Sequence, residues 1–135
     1  TGYESFVARG SALVADAGHV PGIHMDGPAI LNFALRVVPE AVEQTLADCG
    51  LQREDIRCFA FHQANSFVLG KLTQKLRLKP EQVPDNCAML GNTVSASIPL
   101  LLHAQLPQLK AGDKVLAVGF GVGLSWGAAL FEYCP

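Results

Sequence analysis

Ile56-Arg57-Cys58-Phe59-Ala60-Phe61-His62-Gln63-Ala64-Asn65 passes from an apolar run to a cluster of polar side chains. Following the polar turn from Leu51 to Asp55, the run Ile56 to Phe61 reads as a buried strand bounded by turn residues. That strand delivers His62 at its C-terminal end, which is where ligands bind in open α/β sheets. Asn65 is a residue type that caps helices, because its side-chain oxygen can accept from an unpaired amide of the first turn. The helix expected after it carries Phe67, Val68, Leu72 and Leu76 on one face and Lys71, Gln74 and Lys75 elsewhere.

Upstream, Ile30, Phe33, Ala34, Val37, Val38, Ala41, Val42, Leu46 and Cys49 recur at helical spacing, with Asp26 to cap the start and Gly50 to end the helix. Pro39 lies inside this pattern and predicts a kink or two abutting helices, since proline removes a backbone donor and crowds the preceding turn. Residues 1–22 form a leading loop and strand segment in which glycines and Pro21 surround the short apolar run Ser11 to Ala15. Downstream, Pro80 and Pro84 break the chain, Asn86 to Leu90 reads as a short strand, and Gly91 to Ser97 reads as a turn. Pro99 suits the first turn of a helix running to about Leu106. Lys114 to Val118 and Leu124 to Phe131 read as strands joined across Gly119-Phe120-Gly121-Val122-Gly123. Strands and helices alternate, so the expected class is α/β, with layered helices on a mixed sheet.

Composition bounds the function. At 135 residues and 50% hydrophobic, the chain is long enough for one domain with its own core. The 16% charged fraction is below the roughly 25% usual in soluble domains, which suggests surface meant for burial against more protein. The chain begins at Thr1 without an initiator Met, which fits a fragment, a processed product or a piece cut from a longer polypeptide alike. A net charge of -2 supplies no basic footprint for nucleic acid. No apolar stretch approaches the ~18 to 20 residues of a membrane span, so the expected location is cytoplasmic. Cys49, Cys58, Cys87 and Cys134 have no CxxC spacing and read as buried reduced thiols; Cys58 and His62 do not make a zinc signature, and no metal or cofactor is expected.

The polar stretches are individually weak. A lone histidine at a strand end is more often structural than catalytic, and Gly91-Asn92 is ordinary turn chemistry. The 119–123 glycine cluster fails as a phosphate loop, because those loops need a helix to follow and here a strand follows. A tight crossing where backbone amides approach a substrate, or plain close packing, are the readings left for it.

Together, Phe61 to Asn65, Gly91-Asn92-Thr93-Val94-Ser95-Ala96-Ser97-Ile98-Pro99 and Gly119-Phe120-Gly121-Val122-Gly123-Leu124-Ser125-Trp126-Gly127 resemble the C-terminal half of β-ketoacyl-acyl-carrier-protein synthase III. The likeness includes His24-Met25-Asp26-Gly27 and runs from about residue 23 to 133, which marks 23–135 as a C-terminal catalytic domain. It implies a thiolase-like fold in which two similar α/β halves pack into layers and the complete enzyme is a homodimer. It implies a decarboxylative condensation of an acyl-CoA with malonyl-acyl carrier protein, with a cysteine carrying the acyl group. The family's histidine and asparagine match His62 and Asn92, two neutral donors suited to an enolate oxygen, where an aspartate would repel it. Val122 matches an oxyanion-hole amide, Phe120 borders the pocket, and Gly121 and Gly123 flank them.

The resemblance also marks gaps. The nucleophilic cysteine belongs to the family's N-terminal half, and none of the four cysteines here matches it, so the chain is expected to be inactive alone and to need that half or to self-associate. Family members commonly have an arginine where this chain has Phe67, in the region that meets the acidic carrier; Lys71, Lys75, Arg77 and Lys79 could supply a basic patch there, or merely a solvated face. Val94-Ser95 replaces a smaller pair, as in a subgroup with another acyl preference. The rival readings are a thiolase-fold condensing enzyme of secondary metabolism and a non-catalytic subunit or interaction domain that kept the fold.

Overall fold

The computed structural model describes residues 6–9, 22–121 and 124–135. Two short strands, β1 (Phe6–Arg9) and β2 (Gly22–Met25), pair antiparallel with Phe6 opposite Met25. The strand expected within residues 11–15 lies outside the described residues. The remaining elements are α1 (Gly27–Cys49), β3 (Ile56–Phe61), α2 (Ser66–Leu76), the single turn α3 (Cys87–Leu90), α4 (Ser97–Gln105), β4 (Lys114–Gly121) and β5 (Ser125–Glu132). Strands β3, β4 and β5 form a three-stranded sheet in that order, β3 parallel to β4 and β4 antiparallel to β5. The sheet is therefore mixed. The parallel pair follows from the long crossover through α2, α3 and α4, whereas Gly121 and Ser125 face each other across a short reversal.

Strand periodicity splits the core into two layers. On one face Phe59, Phe61, Leu116 and Val118 pack with Val37, Val38 and Val42 of α1 and Leu72 of α2, all fully buried. On the other, Cys58, Ala60, Val115 and Ala117 receive Leu101 of α4. The side chains on that second face are small, so α4 can lie close to the sheet.

Helix α1 is one continuous 23-residue helix through Pro39, not two abutting helices. Buried Val37 and Val38 before the proline and Val42 and Leu46 after it keep one face on the core. Their burial outweighs one missing backbone bond. Asp26 Oδ1 accepts from the Ala29 amide at 3.0 Å. At the other end Gly50 takes φ +64°, a conformation open to glycine, and the Leu51 amide donates back to Leu46 O at 2.9 Å.

Three expectations need correction. The segment Asn86 to Leu90 is not a strand but the helical turn α3, closed by Leu90 N–H to Asn86 O at 2.9 Å and Gly91 N–H to Cys87 O at 2.9 Å. Ala, Met and Leu are strong helix formers, and so short an apolar run cannot distinguish the two periods. Phe67 is not on the buried face of α2, which consists of Val68, Leu69, Leu72 and Leu76; it is 61% exposed, with the Lys71 ammonium 5.5 Å from its ring centre. Of the four cysteines, all free, only Cys58 is buried; Cys87 is half-buried, and Cys49 and Cys134, at the ends of α1 and past β5, are exposed.

Candidate active site

His62 leaves the sheet with its own amide still donating to Val118 O of β4 at 2.9 Å, so the last rung of pairing fixes where the imidazole starts. The Ala64 amide then donates to His62 O at 3.0 Å, a tight turn that brings Asn65 to the head of α2. There Asn65 Oδ1 accepts from the Val68 amide at 2.9 Å, as its residue type predicts. Between them Gln63 is 2% exposed. Its Nε2 donates to Phe61 O at 2.9 Å and Pro84 O at 3.4 Å, and its Oε1 accepts from the Asn86 amide at 2.8 Å. A buried amide with these partners ties the end of β3 to the chain that leads into Asn92. This role of Gln63 depends on partners at Pro84 and Asn86, more than twenty residues away, so nothing in the local residue pattern marks it.

His62 Nδ1 lies 2.7 Å from Ser97 Oγ, at the first residue of α4, and the imidazole and the Phe120 ring form a T-shaped pair with centroids 5.2 Å apart. Burial lowers its pKa below the usual 6.5, because removing water penalises the cation. The ring is thus neutral at neutral pH, with one N–H donor and one lone pair.

Asn92 is exposed, and its Oδ1 accepts from the Val94 amide at 2.9 Å. That bond assigns the amide group and leaves the Nδ2 hydrogens for a ligand. The turn it belongs to is strained: Val94 has φ +54°, a left-handed conformation costly for a β-branched residue.

His62 and Asn92 line one cavity of about 870 Å³. Its walls include Ile30, Leu31, Val68, Ile98 and Trp126, and no charged side chain contributes to its lining among the described residues. Such neutral donors can meet any negative charge that develops in the cavity, and the pull is stronger from His62, which is half-buried, than from the exposed Asn92. Phe120, Gly119 and Gly121 also border the cavity. A Cβ placed on Gly119 would meet only Ile98 Cδ1, at an ordinary 3.8 Å, and one on Gly121 would meet nothing within 4 Å, so close packing does not require glycine at either position. Val122 and Gly123 lie outside the described residues. Lys71, Lys75, Arg77 and Lys79 are all exposed, on or just after α2, and none lines the cavity. Among the described residues no group of three His, Cys, Asp or Glu side chains could hold a metal ion, and no helix is long and apolar enough to cross a membrane.

A mixed sheet with helices on both faces and a cleft at the strand exits defines a layered α/β domain, and solved structures show it to be the C-terminal half of a thiolase-like fold. A 3-oxoacyl-(acyl-carrier-protein) synthase III superposes with a TM-score of 0.90 at 30% identity, covering 98% of this chain and 44% of that one. The Burkholderia xenovorans 3-oxoacyl-(acyl-carrier protein) synthase gives 0.88 at 37% identity, covering 97% of this chain and 41% of that one. Residues 46–133 match the family model for the 3-oxoacyl-[acyl-carrier-protein] synthase III C terminal, and the chain belongs to that family. Among curated relatives, the β-ketoacyl-[acyl-carrier-protein] synthase III of Gloeobacter violaceus is 40% identical over 123 residues, covering 90% of this chain and 37% of the relative. That of Synechococcus elongatus is 36% identical over 135 residues, covering 96% and 40%. The chain therefore spans about two fifths of the length of the relatives it matches.

Proposed function

We propose that residues 23–135 form the C-terminal catalytic domain of a synthase III-type acyltransferase, preceded by a leading segment at 1–22. The complete enzyme condenses an acyl group from coenzyme A with malonyl-acyl carrier protein and uses no metal or cofactor. The observation that supports this most is that His62 and Asn92, the neutral pair such chemistry needs, line one uncharged cavity. Loss of CO₂ from the malonyl thioester breaks the bond to its carboxylate carbon and leaves the electron pair as an enolate. Hydrogen bonds from His62 Nε2 and Asn92 Nδ2 stabilise the enolate oxygen more than the neutral carbonyl before it, which lowers the barrier. The enolate carbon then attacks the acyl thioester, a C–C bond forms, and the cysteine leaves as thiolate. In the earlier acyl transfer the Val122 amide pairs with the cysteine's own N–H around the oxyanion, beside Phe120.

That cysteine lies in the missing N-terminal half. None of Cys49, Cys58, Cys87 or Cys134 lines the cavity. Burial pushes the Cys58 thiol up to about 11, and burial with the neighbouring Asp85 does the same to Cys87, so neither is a thiolate at neutral pH. The chain alone forms no acyl-enzyme. Lys71, Lys75, Arg77 and Lys79 are the surface for the acidic carrier, the complete protein is a homodimer, and four free cysteines fit the reducing cytoplasm. The test is to combine the chain with a cysteine-bearing N-terminal half and measure malonyl decarboxylation. His62→Ala and Asn92→Ala are each expected to lower it by roughly 10²- to 10³-fold, the loss typical of one such donor. Activity indifferent to both would identify a non-catalytic subunit instead.

A further inference from the structure

The function of His62 as a donor depends on which ring nitrogen carries its proton. In a neutral imidazole that choice is set by the bond the other nitrogen makes. Ser97 Oγ sits 2.7 Å from Nδ1, and a hydroxyl can either give or take a hydrogen bond, so the contact alone leaves two arrangements. Burial decides between them. Ser97 is 3% exposed, and among the described residues its hydroxyl meets no acceptor other than Nδ1. Were Nδ1 protonated, Ser97 would have to accept, and its own hydrogen would be buried without a partner, a costly arrangement. With the hydroxyl donating to Nδ1, neither group of this contact is left unpaired and the proton resides on Nε2.

We propose that Ser97 is a positioning residue that holds His62 in the Nε2–H tautomer and so aims its one donor at the cavity. This deepens the reading of His62 as an enolate-stabilising group and rests on it for its purpose, but the tautomer itself exists without turnover. The placement has a structural basis. His62 is fixed by the last rung between β3 and β4, and Ser97 by the start of α4, which packs on the same sheet through Leu101. The two side chains are thus held by two elements of one rigid layer, and the bond between them costs little ordering at the moment of reaction. Ionisation of the ring would also force Ser97 to turn round and strand its hydrogen, so the same bond opposes the imidazolium. The burial-lowered pKa of His62 agrees in direction.

The experiment is two-bond proton–nitrogen correlation NMR on the chain labelled at histidine, with the His62 signal assigned by its loss in His62→Gln. The wild type is expected to show the Nε2–H tautomer in an excess of roughly tenfold or more, as a hydrogen bond of ordinary net strength supports. Ser97→Ala should reduce that excess several-fold, and Ser97→Thr, which keeps the hydroxyl, should preserve it. A wild-type spectrum dominated by the Nδ1–H tautomer would overturn the proposal without any variant having to fold. So would a Ser97→Ala spectrum unchanged from wild type. Because no turnover is measured, this result is separable from the decarboxylation assay: a reconstituted enzyme indifferent to His62→Ala would sink the condensation reading and leave the tautomer assignment standing.

Discussion

Val94 is the residue whose backbone disagrees most with its side chain. Its φ of +54° places a branched Cβ against the following carbonyl, in a turn that also positions Asn92 through the Val94 amide. The strain is accepted where it serves the cavity, which Val94 itself lines. Asparagine tolerates this conformation, so Val94→Asn is expected to raise stability by about 1 kcal/mol in chemical denaturation. A loss of stability would show that the valine side chain contributes more by packing than its backbone costs. Nothing in the residue order Gly91-Asn92-Thr93-Val94 announced the strain, because a β-branched residue is the type least expected at a left-handed position. His62 and Asn92 were recognisable from residue type and motif, whereas Gln63 and Ser97 were not, since their roles exist only once distant segments meet.

At the scale of elements, α2 shows how capping and site geometry share residues. Asn65 both closes the first turn of α2, through the Val68 amide at 2.9 Å, and lines the cavity. Asn65→Ala is expected to cost about 1 kcal/mol of stability, the ordinary worth of such a cap. Thermal unfolding of the two proteins side by side would measure it; an unchanged midpoint would mean that α2 is held by Val68, Leu69, Leu72 and Leu76 alone. Long, periodic elements were legible in the sequence: α1 with its Asp26 and Gly50 ends, β3, and α2 all lie where spacing and caps put them. The failure was α3, whose apolar run of four residues carries no period, and whose conformation is settled by partners far away in sequence. Gln63 takes the Asn86 amide that a neighbouring strand would have used. Pro39 misled in the opposite direction, because burial on both sides of it holds one helix together.

Across the whole molecule, the sheet is well covered on β3 and β4 and poorly on β5. Trp126 is 52% exposed and Phe131 49%, and most of the other side chains of that strand are open as well. Large apolar side chains on an edge strand favour association. The isolated chain is therefore expected to self-associate, with light scattering giving a mass that rises with concentration, and to become monodisperse when the N-terminal half is added. A monodisperse monomer at high concentration would count against this. The order of strands has a kinetic consequence as well. β4 is the strand that both β3 and β5 pair with, yet it follows β3 only after α2, α3 and α4 have been made. During synthesis, β3 and its histidine must wait for that distant partner, so the helices form first and the cleft last. Pairing across so long a loop is slow, and the waiting chain exposes the apolar run 56–61 in the meantime. The arrival of β4, more than any single contact, then times the birth of the site.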